Sequence, residues 1–230
     1  MKIGGVRKIA KPVPMLGIRK MRFDFLEDLD AYFCEKYANY DKICMIDGYV
    51  MPKMQSTRID DFGRTYAYTL PAETMRLSLQ ENKAEILQKL KEKMTDKTFS
   101  FSFRTLSWFH QIENLFSKQS LKKIFPTILA HYNLTMEQAF EGLDVSKEAQ
   151  RLIISGKAEP TKNLIFSMAI VNHFSLQDTK ALLNICGLRL DFTCEKDVVF
   201  AYLISNSIFN ADMVASALAV YKISHLFIKG

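Results

Sequence analysis

Residues 133–161, NLTMEQAFEGLDVSKEAQRLIISGKAEPT, contain two helix starts that are separated by a turn. Thr135 and Gln138 form a capping box, in which each side chain can satisfy a backbone N–H at the start of a helix. Ser146 is placed to cap a second helix, and Gly156 is placed to end it. This stretch therefore predicts two short helices joined by a turn.

The remainder of residues 119–230 is also predicted to be helical. One apolar stripe at helical spacing precedes the quoted stretch and comprises Leu121, Ile124, Phe125, Ile128, Leu129 and Tyr132. Further helix starts are predicted at Thr161, Ser175, Thr193 and Asn210. The pattern favours a helical bundle over residues 119–230.

Residues 23–118 mix helical and alternating patterns, which predicts a small α+β region. Helices are expected from Phe25 to a point before Gly48, over 72–94 and over 106–117. Residues 49–71 fit one or two short strands or an irregular loop, and residues 65–70 within them alternate with β-prone types. Residues 98–103 alternate strictly and are a strand candidate that we expect to pair with residues 65–70. The aromatic residues expected to join this region to the bundle as core are Phe99, Phe101, Phe103, Trp108 and Phe109.

The quoted stretch, continued to Leu176, resembles the helix-turn-helix of Cro and phage repressors. The matching residues are Leu134, Ala139, Leu143, Val145, Ser146, Ile153, Gly156, Pro160, Met168, Ala169, Phe174, Ser175 and Leu176. The chain that follows is similar to a helical extension of such modules at the C-terminus of assorted bacterial proteins, chiefly from Gram-positive anaerobes. Its matching residues are Leu182, Leu183, Cys186, Gly187, Lys196, Asp197, Tyr202, Ile208, Phe209 and Leu218. The resemblance covers residues 119–225 and implies a helix-turn-helix-like bundle there. Together with the α+β region predicted before it, the expected fold class is mainly α.

In DNA-reading relatives the helix that starts at Ser146 enters the major groove, which makes its first residues candidate contacts. These candidates are Lys147, Glu148, Gln150 and Arg151. Leu152 and Ile154 occupy positions where the repressor pattern usually has polar residues, so we expect apolar surface to face a neighbour, with Ile154 as a contact. We therefore expect a protein-interaction module, with a DNA-binding transcriptional regulator as the alternative.

Positive charge is concentrated at the start of the chain. The net charge is +6, yet residues 119–230 carry eleven basic and ten acidic side chains. Residues 1–22 contain no acid and seven basic side chains: Lys2, Arg7, Lys8, Lys11, Arg19, Lys20 and Arg22. This basic arm is expected either to contact nucleic acid or an acidic partner, or to act as a solvated tail.

The sequence offers little sign of catalysis or of a membrane segment. It lacks nucleophile, phosphate-loop and metal-ligand motifs, so we expect a non-enzymatic protein without cofactor or metal. Four cysteines without C-x-x-C spacing are typical of free thiols, and no apolar stretch approaches the roughly 18 residues of a membrane span. We expect a cytoplasmic protein with a protein partner, or duplex DNA in the alternative, and leave the oligomeric state open.

Residues 58–68 hold the remaining candidate functional residues. Asp60 and Asp61 are expected to form a solvated turn. The interleaved basic and aromatic residues Arg58, Arg64, Tyr66 and Tyr68 fit either the outer face of a small sheet or a surface for single-stranded nucleic acid.

Overall fold

The computed structural model describes residues 24–50, 55–69, 77–96, 101–110, 121–224 and 226–229. These residues are mainly helical and include two small antiparallel sheets. The helices are α1 (Phe25–Lys36), α2 (Tyr40–Cys44), α3 (Lys83–Lys93), α4 (Leu121–Ala130), α5 (Lys147–Ile154), α6 (Lys162–Val171), α7 (Leu176–Ile185), α8 (Glu195–Ser205) and α9 (Ala211–Val220). The strands are β1 (Gln55–Ile59), β2 (Thr65–Thr69), β3 (Phe103–Thr105) and β4 (Ala158–Pro160).

Most predicted helix starts are confirmed by side-chain caps. The side chains of Ser146, Thr161, Ser175 and Asn210 each accept a hydrogen bond from a backbone N–H in the first turn of the helix that follows. The prediction for Thr193 is wrong. Its N–H and its hydroxyl both donate to Asp191, at 2.9 and 2.8 Å, so α8 starts one residue later.

The capping box at Thr135 is confirmed. The Gln138 N–H donates to the Thr135 hydroxyl at 3.2 Å, and the Thr135 N–H donates to the Gln138 side-chain oxygen at 2.8 Å. The box opens only a single 3-10 turn, Gln138–Phe140, instead of a longer helix. The chain then reaches α5 through Gly142, whose φ of +78° lies in the left-handed region that glycine adopts readily.

The strand pairing differs from the prediction. β1 and β2 form an antiparallel hairpin, but β3 pairs with β4 and not with β2. Phe103 lies opposite Pro160, and the Ser102 carbonyl accepts a hydrogen bond from the Thr161 N–H at 3.0 Å. Within the described residues β2 pairs only with β1, and the partner of β3 comes from the C-terminal half of the chain, while residues 98–100 of the predicted strand lie outside the described residues.

One hydrophobic core runs through both halves. It extends from Leu29 and Phe33 on α1 to Val214 and Ala217 on α9. Helix α1 packs directly against α8. Folding of the N-terminal region therefore depends on apolar surface that the C-terminal helices supply.

Candidate interaction surface

Helix α5 carries most of the predicted contact residues. It begins after Ser146, whose hydroxyl oxygen accepts a hydrogen bond from the Ala149 N–H at 3.2 Å. Ala149 and Ile153, four residues apart, are buried and hold one side of the helix against the core. Gly156 follows with a φ of +73°, a conformation in which glycine ends a helix without strain. The opposite side of α5 is consequently exposed.

Three predicted contact residues, Lys147, Glu148 and Arg151, lie on that exposed side. None of the three forms an ion pair with another described residue. Lys147 and Arg151 are separated by one helical turn and project in the same direction. The charged groups of α5 are therefore available to a partner, while the basic arm of residues 1–22 lies outside the described residues.

The other two predicted contact residues are engaged within the protein. The side-chain nitrogen of Gln150 donates to the Val145 carbonyl at 2.9 Å, so this amide stabilises the start of α5. Ile154 and Leu152 are half-buried and pack against the core. The sequence predicts that apolar surface on α5 faces a neighbour. Strands β3 and β4 of the same chain are among the elements that contact α5.

The C-terminal segment 226–229 lies along the turn that precedes α5. The Asp144 N–H donates to the Phe227 carbonyl at 2.9 Å, and the Lys229 N–H donates to the Gly142 carbonyl at the same distance. These bonds satisfy backbone groups of the turn. A partner that approaches α5 thus meets its exposed side chains and not the open backbone of this turn.

Residues 101–110 are anchored beside α5. Their strand β3 pairs with β4, which follows α5 closely in the chain. The Arg104 guanidinium lies 2.6 Å from the Glu159 carboxylate, which is largely buried. It also donates to the Cys186 carbonyl at 3.0 Å. A charge-assisted contact and a strand pair therefore fix this segment in place.

Three large aromatic side chains of this segment are exposed. The exposed fractions are 71% for Phe101, 67% for Trp108 and 71% for Phe109. The Trp108 and Phe109 rings meet edge to face, with centroids 5.2 Å apart. A hydrogen bond of 2.8 Å between the Ser107 hydroxyl and His110 Nδ1 closes the turn beneath them. We call the touching pair Trp108 and Phe109 the aromatic surface, and Phe101 is exposed on the same segment.

The aromatic surface corrects the expectation that these residues join the two regions as core. Only Phe103, which lies within β3, is half-buried and packs against the core, and Phe99 lies outside the described residues. β3 is three residues long, so the alternation seen in the sequence does not continue as a strand to Phe101. Aromatic character alone did not distinguish a core side chain from an exposed one.

The β1–β2 hairpin holds the other candidate group. Asp60 forms the predicted turn, because its carboxylate accepts the Arg64 N–H at 2.8 Å and pairs with the Arg64 guanidinium at 3.0 Å. These hydrogen bonds lower the pKa of Asp60. The Arg58 guanidinium lies 4.7 Å from the centre of the Tyr68 ring, and Tyr66 is opposite Arg58 in the register. Arg58, Tyr66 and Tyr68 therefore share one face, while Arg64 is held at the turn.

The Cys186 thiol has little nucleophilic reactivity. Burial raises the pKa of the Cys186 thiol to about 12, and the Glu159 carboxylate adds to the rise. The thiol therefore stays protonated at neutral pH and is a poor nucleophile. All four cysteines are free, as the sequence predicted.

The described residues show neither a grouped set of metal ligands nor a membrane-spanning helix. Within the ranges given above, no three His, Cys, Asp or Glu side chains are grouped as a metal site requires. In the same part of the chain, no helix has both the length and the apolar character that crossing a membrane demands.

In comparisons with known proteins, no family model, curated protein or solved structure matches this chain.

Proposed function

We propose that this chain is a non-enzymatic binding protein whose C-terminal helix-turn-helix-like bundle serves as a protein-interaction module. On this proposal the partner contacts the exposed side of α5 and the aromatic surface, which the pairing of β3 with β4 attaches to the bundle. The observation that carries this proposal is the exposure of Trp108 and Phe109 on an anchored segment. Clustered exposed aromatic residues mark interaction sites, and Trp and Arg are enriched among the residues that dominate binding energy.

The anchoring of the segment supports the proposal energetically. Association costs entropy when loops and side chains must be ordered on binding. β3 is already paired with β4, and Arg104 is already bound to Glu159, so little backbone ordering remains to be done. Trp and Phe have only two rotatable side-chain bonds, which keeps their own ordering cost small.

The helix-turn-helix-like assignment is supported by the elements at the matching positions. A 3-10 turn at Gln138–Phe140, a turn through Gly142 and the capped helix α5 follow one another in the order of the pattern. Ala139, small and fully buried, suits the position where two elements cross.

Site-specific photo-cross-linking tests the protein-interaction proposal. A photoreactive phenylalanine analogue replaces Phe109 in one sample and Phe62 in a matched control, because Phe62 is also aromatic and is 83% exposed, on the turn of the β1–β2 hairpin. In native cell extract treated with nuclease, we expect one dominant protein adduct from position 109 and none from position 62. Equal adducts from both positions, or none from either, would contradict the proposal.

The cross-linked partner is then tested directly with purified protein. Trp108→Ala should weaken its binding by about tenfold or more, as is usual for a central interface aromatic residue. The melting temperature should hardly change, because Trp108 is 67% exposed. Trp108 is the only tryptophan of the chain, so its fluorescence in the wild-type protein should also shift on binding. Unchanged affinity for the Trp108→Ala protein would remove the aromatic surface from the proposal.

A second candidate function, a DNA-binding transcriptional regulator, is favoured by one observation. Lys147 and Arg151 are exposed one helical turn apart, on the helix whose start would face the major groove in the repressor arrangement. Ammonium and guanidinium groups at this spacing can contact phosphates or guanine. Gln150 is less suited to base contact, because its amide nitrogen already donates to Val145.

Salt dependence tests the DNA candidate. The affinity for duplex DNA should fall with a slope of about −0.9 in log K against log salt for each phosphate contact. Lys147→Ala should reduce this slope by roughly one, whereas Arg151→Ala should cost about 1–3 kcal/mol if it reads a base. Lys180→Ala, an exposed lysine on α7, is the matched control and should change neither quantity. Absence of binding at low salt would eliminate this candidate.

A further inference from the structure

A cleft of about 510 Å³ lies where several helix ends meet, and it shares no lining residue with α5 or the aromatic surface. It is bounded by α2, the end of α3, the start of α8 and the end of α9. Ile46, Leu90, Met94 and Tyr221 are buried side chains that form an apolar floor. Its volume falls within the range that small-molecule sites occupy.

Four lysines and two carboxylates line the same cleft. Two of the lysines are neutralised locally: Lys42 lies 2.8 Å from Glu195, and Lys196 lies 2.6 Å from Asp96. Both members of the second pair are buried, and Lys196 also donates to the Ser224 carbonyl at 3.1 Å. These two pairs are structural, and they leave two lysines without a carboxylate partner.

The remaining lysines are Lys93, at the end of α3, and Lys222, just after α9. Lys93 is exposed and forms no ion pair with the described residues. Lys222 donates to the Glu92 carbonyl at 2.6 Å, which fixes its ammonium group and leaves two further N–H donors. The cleft thus combines an apolar floor with two lysines that form no ion pair with a carboxylate of the described residues.

We infer that this cleft binds a small amphipathic anion, with its anionic group at Lys93 and Lys222 and its apolar body against Ile46, Leu90 and Met94. The lining carries four lysines against two carboxylates and is therefore net positive, and low-dielectric walls strengthen its attraction for an anion. The anionic group of such a ligand matches the two lysines, and its apolar body matches the apolar floor. A simple inorganic anion lacks the apolar body, and a neutral hydrocarbon lacks the charge. The basic arm is a poor occupant, because residues 1–22 carry seven positive side chains and no acid.

Isothermal titration calorimetry of the full chain with three probes tests the inference. Decanoate carries both an apolar body and a charge, decanol carries the body alone, and acetate carries the charge alone. We expect saturable one-to-one binding of decanoate below its micelle concentration, binding of decanol that is weaker by about tenfold or more, and no detectable binding of acetate. Equal binding of decanoate and decanol, or no saturable binding of decanoate, would overturn the inference.

Two variants of lining residues and one control variant test whether binding takes place in the cleft. Lys93→Glu should weaken decanoate binding by about tenfold or more, since it replaces an attraction with a repulsion. Lys180→Glu, which makes the same charge change on α7 outside this cleft, should leave binding unchanged. Thr95→Phe, at an exposed lining position, should block the cleft for decanoate and decanol alike. If Lys93→Glu and Thr95→Phe bind decanoate like the wild type, the ligand lies elsewhere and the inference is wrong.

Discussion

Ile154 on α5 is half-buried and packs against the core beside the fully buried Ile153. An aspartate at position 154 would place a carboxylate against apolar neighbours. We expect Ile154→Asp to lower the free energy of unfolding by roughly 1–3 kcal/mol, because a charge moved out of water loses hydration that no hydrogen bond restores. Urea denaturation monitored by circular dichroism measures the loss.

Lys147→Asp is the matched control for that prediction, because it introduces the same side chain at an exposed position of the same helix. Its effect should stay within about 0.5 kcal/mol, as is usual for surface substitutions. If Ile154→Asp proved equally harmless while abolishing partner binding, Ile154 would be a contact residue and not part of the core.

At the scale of the helix, short-range chemistry made the helix starts predictable. The caps at Ser146, Ser175 and Asn210 involve residues two or three positions away, so the sequence contains both partners. The exposure of Lys147 and Arg151 follows from the same local geometry, once Ala149 and Ile153 are assigned to the core. Thr193 does not cap α8, because its N–H and hydroxyl bind Asp191 in the preceding turn and Cys194 occupies the N-cap position.

Strand pairing was not predictable in the same way. The pairing of β3 with β4 and the Arg104–Glu159 contact join residues 55 positions apart, and no local pattern specifies such a partner. The aromatic surface depends on that pairing, because it lies on the segment that β3 anchors. The cleft at Lys93 was missed for a related reason, since its lining comes from four separate stretches of the chain.

At the scale of the whole molecule, three tyrosines link the N-terminal region to the C-terminal helices through hydrogen bonds to carboxylates. The donor and acceptor pairs are Tyr37 and Glu195 at 2.6 Å, Tyr202 and Asp28 at 2.8 Å, and Tyr221 and Asp30 at 2.7 Å. In each case burial is the main cause that raises the tyrosine pKa above its ordinary value of 10.0, and the hydrogen-bonded carboxylate raises it further. These three contacts between the two halves therefore depend on protonated phenols.

These raised pKa values determine whether alkaline pH raises or lowers the free energy of unfolding. Above pH 10 the unfolded chain releases its tyrosine protons, while the folded chain retains them at the three buried sites. The stabilisation is therefore complete below about pH 10 and is lost as the pH rises towards the folded-state pKa values. For each buried tyrosine, we expect the free energy of unfolding to fall by up to about 1.4 kcal/mol per pH unit in this range.

Tyr221→Phe tests this effect, because it keeps the buried ring and removes the proton that titrates. Its free energy of unfolding is measured by urea denaturation at closely spaced pH values above 9. It should fall with pH less steeply than that of the wild type, and the difference in slope should be about the contribution of one buried tyrosine. Tyr66→Phe, on the exposed hairpin, is the control and should keep the wild-type slope. Because one core spans both halves, each denaturation curve should also show a single transition. An unchanged slope in Tyr221→Phe would refute the role of the buried phenol, and separate transitions for the two halves would refute their dependence on a shared core.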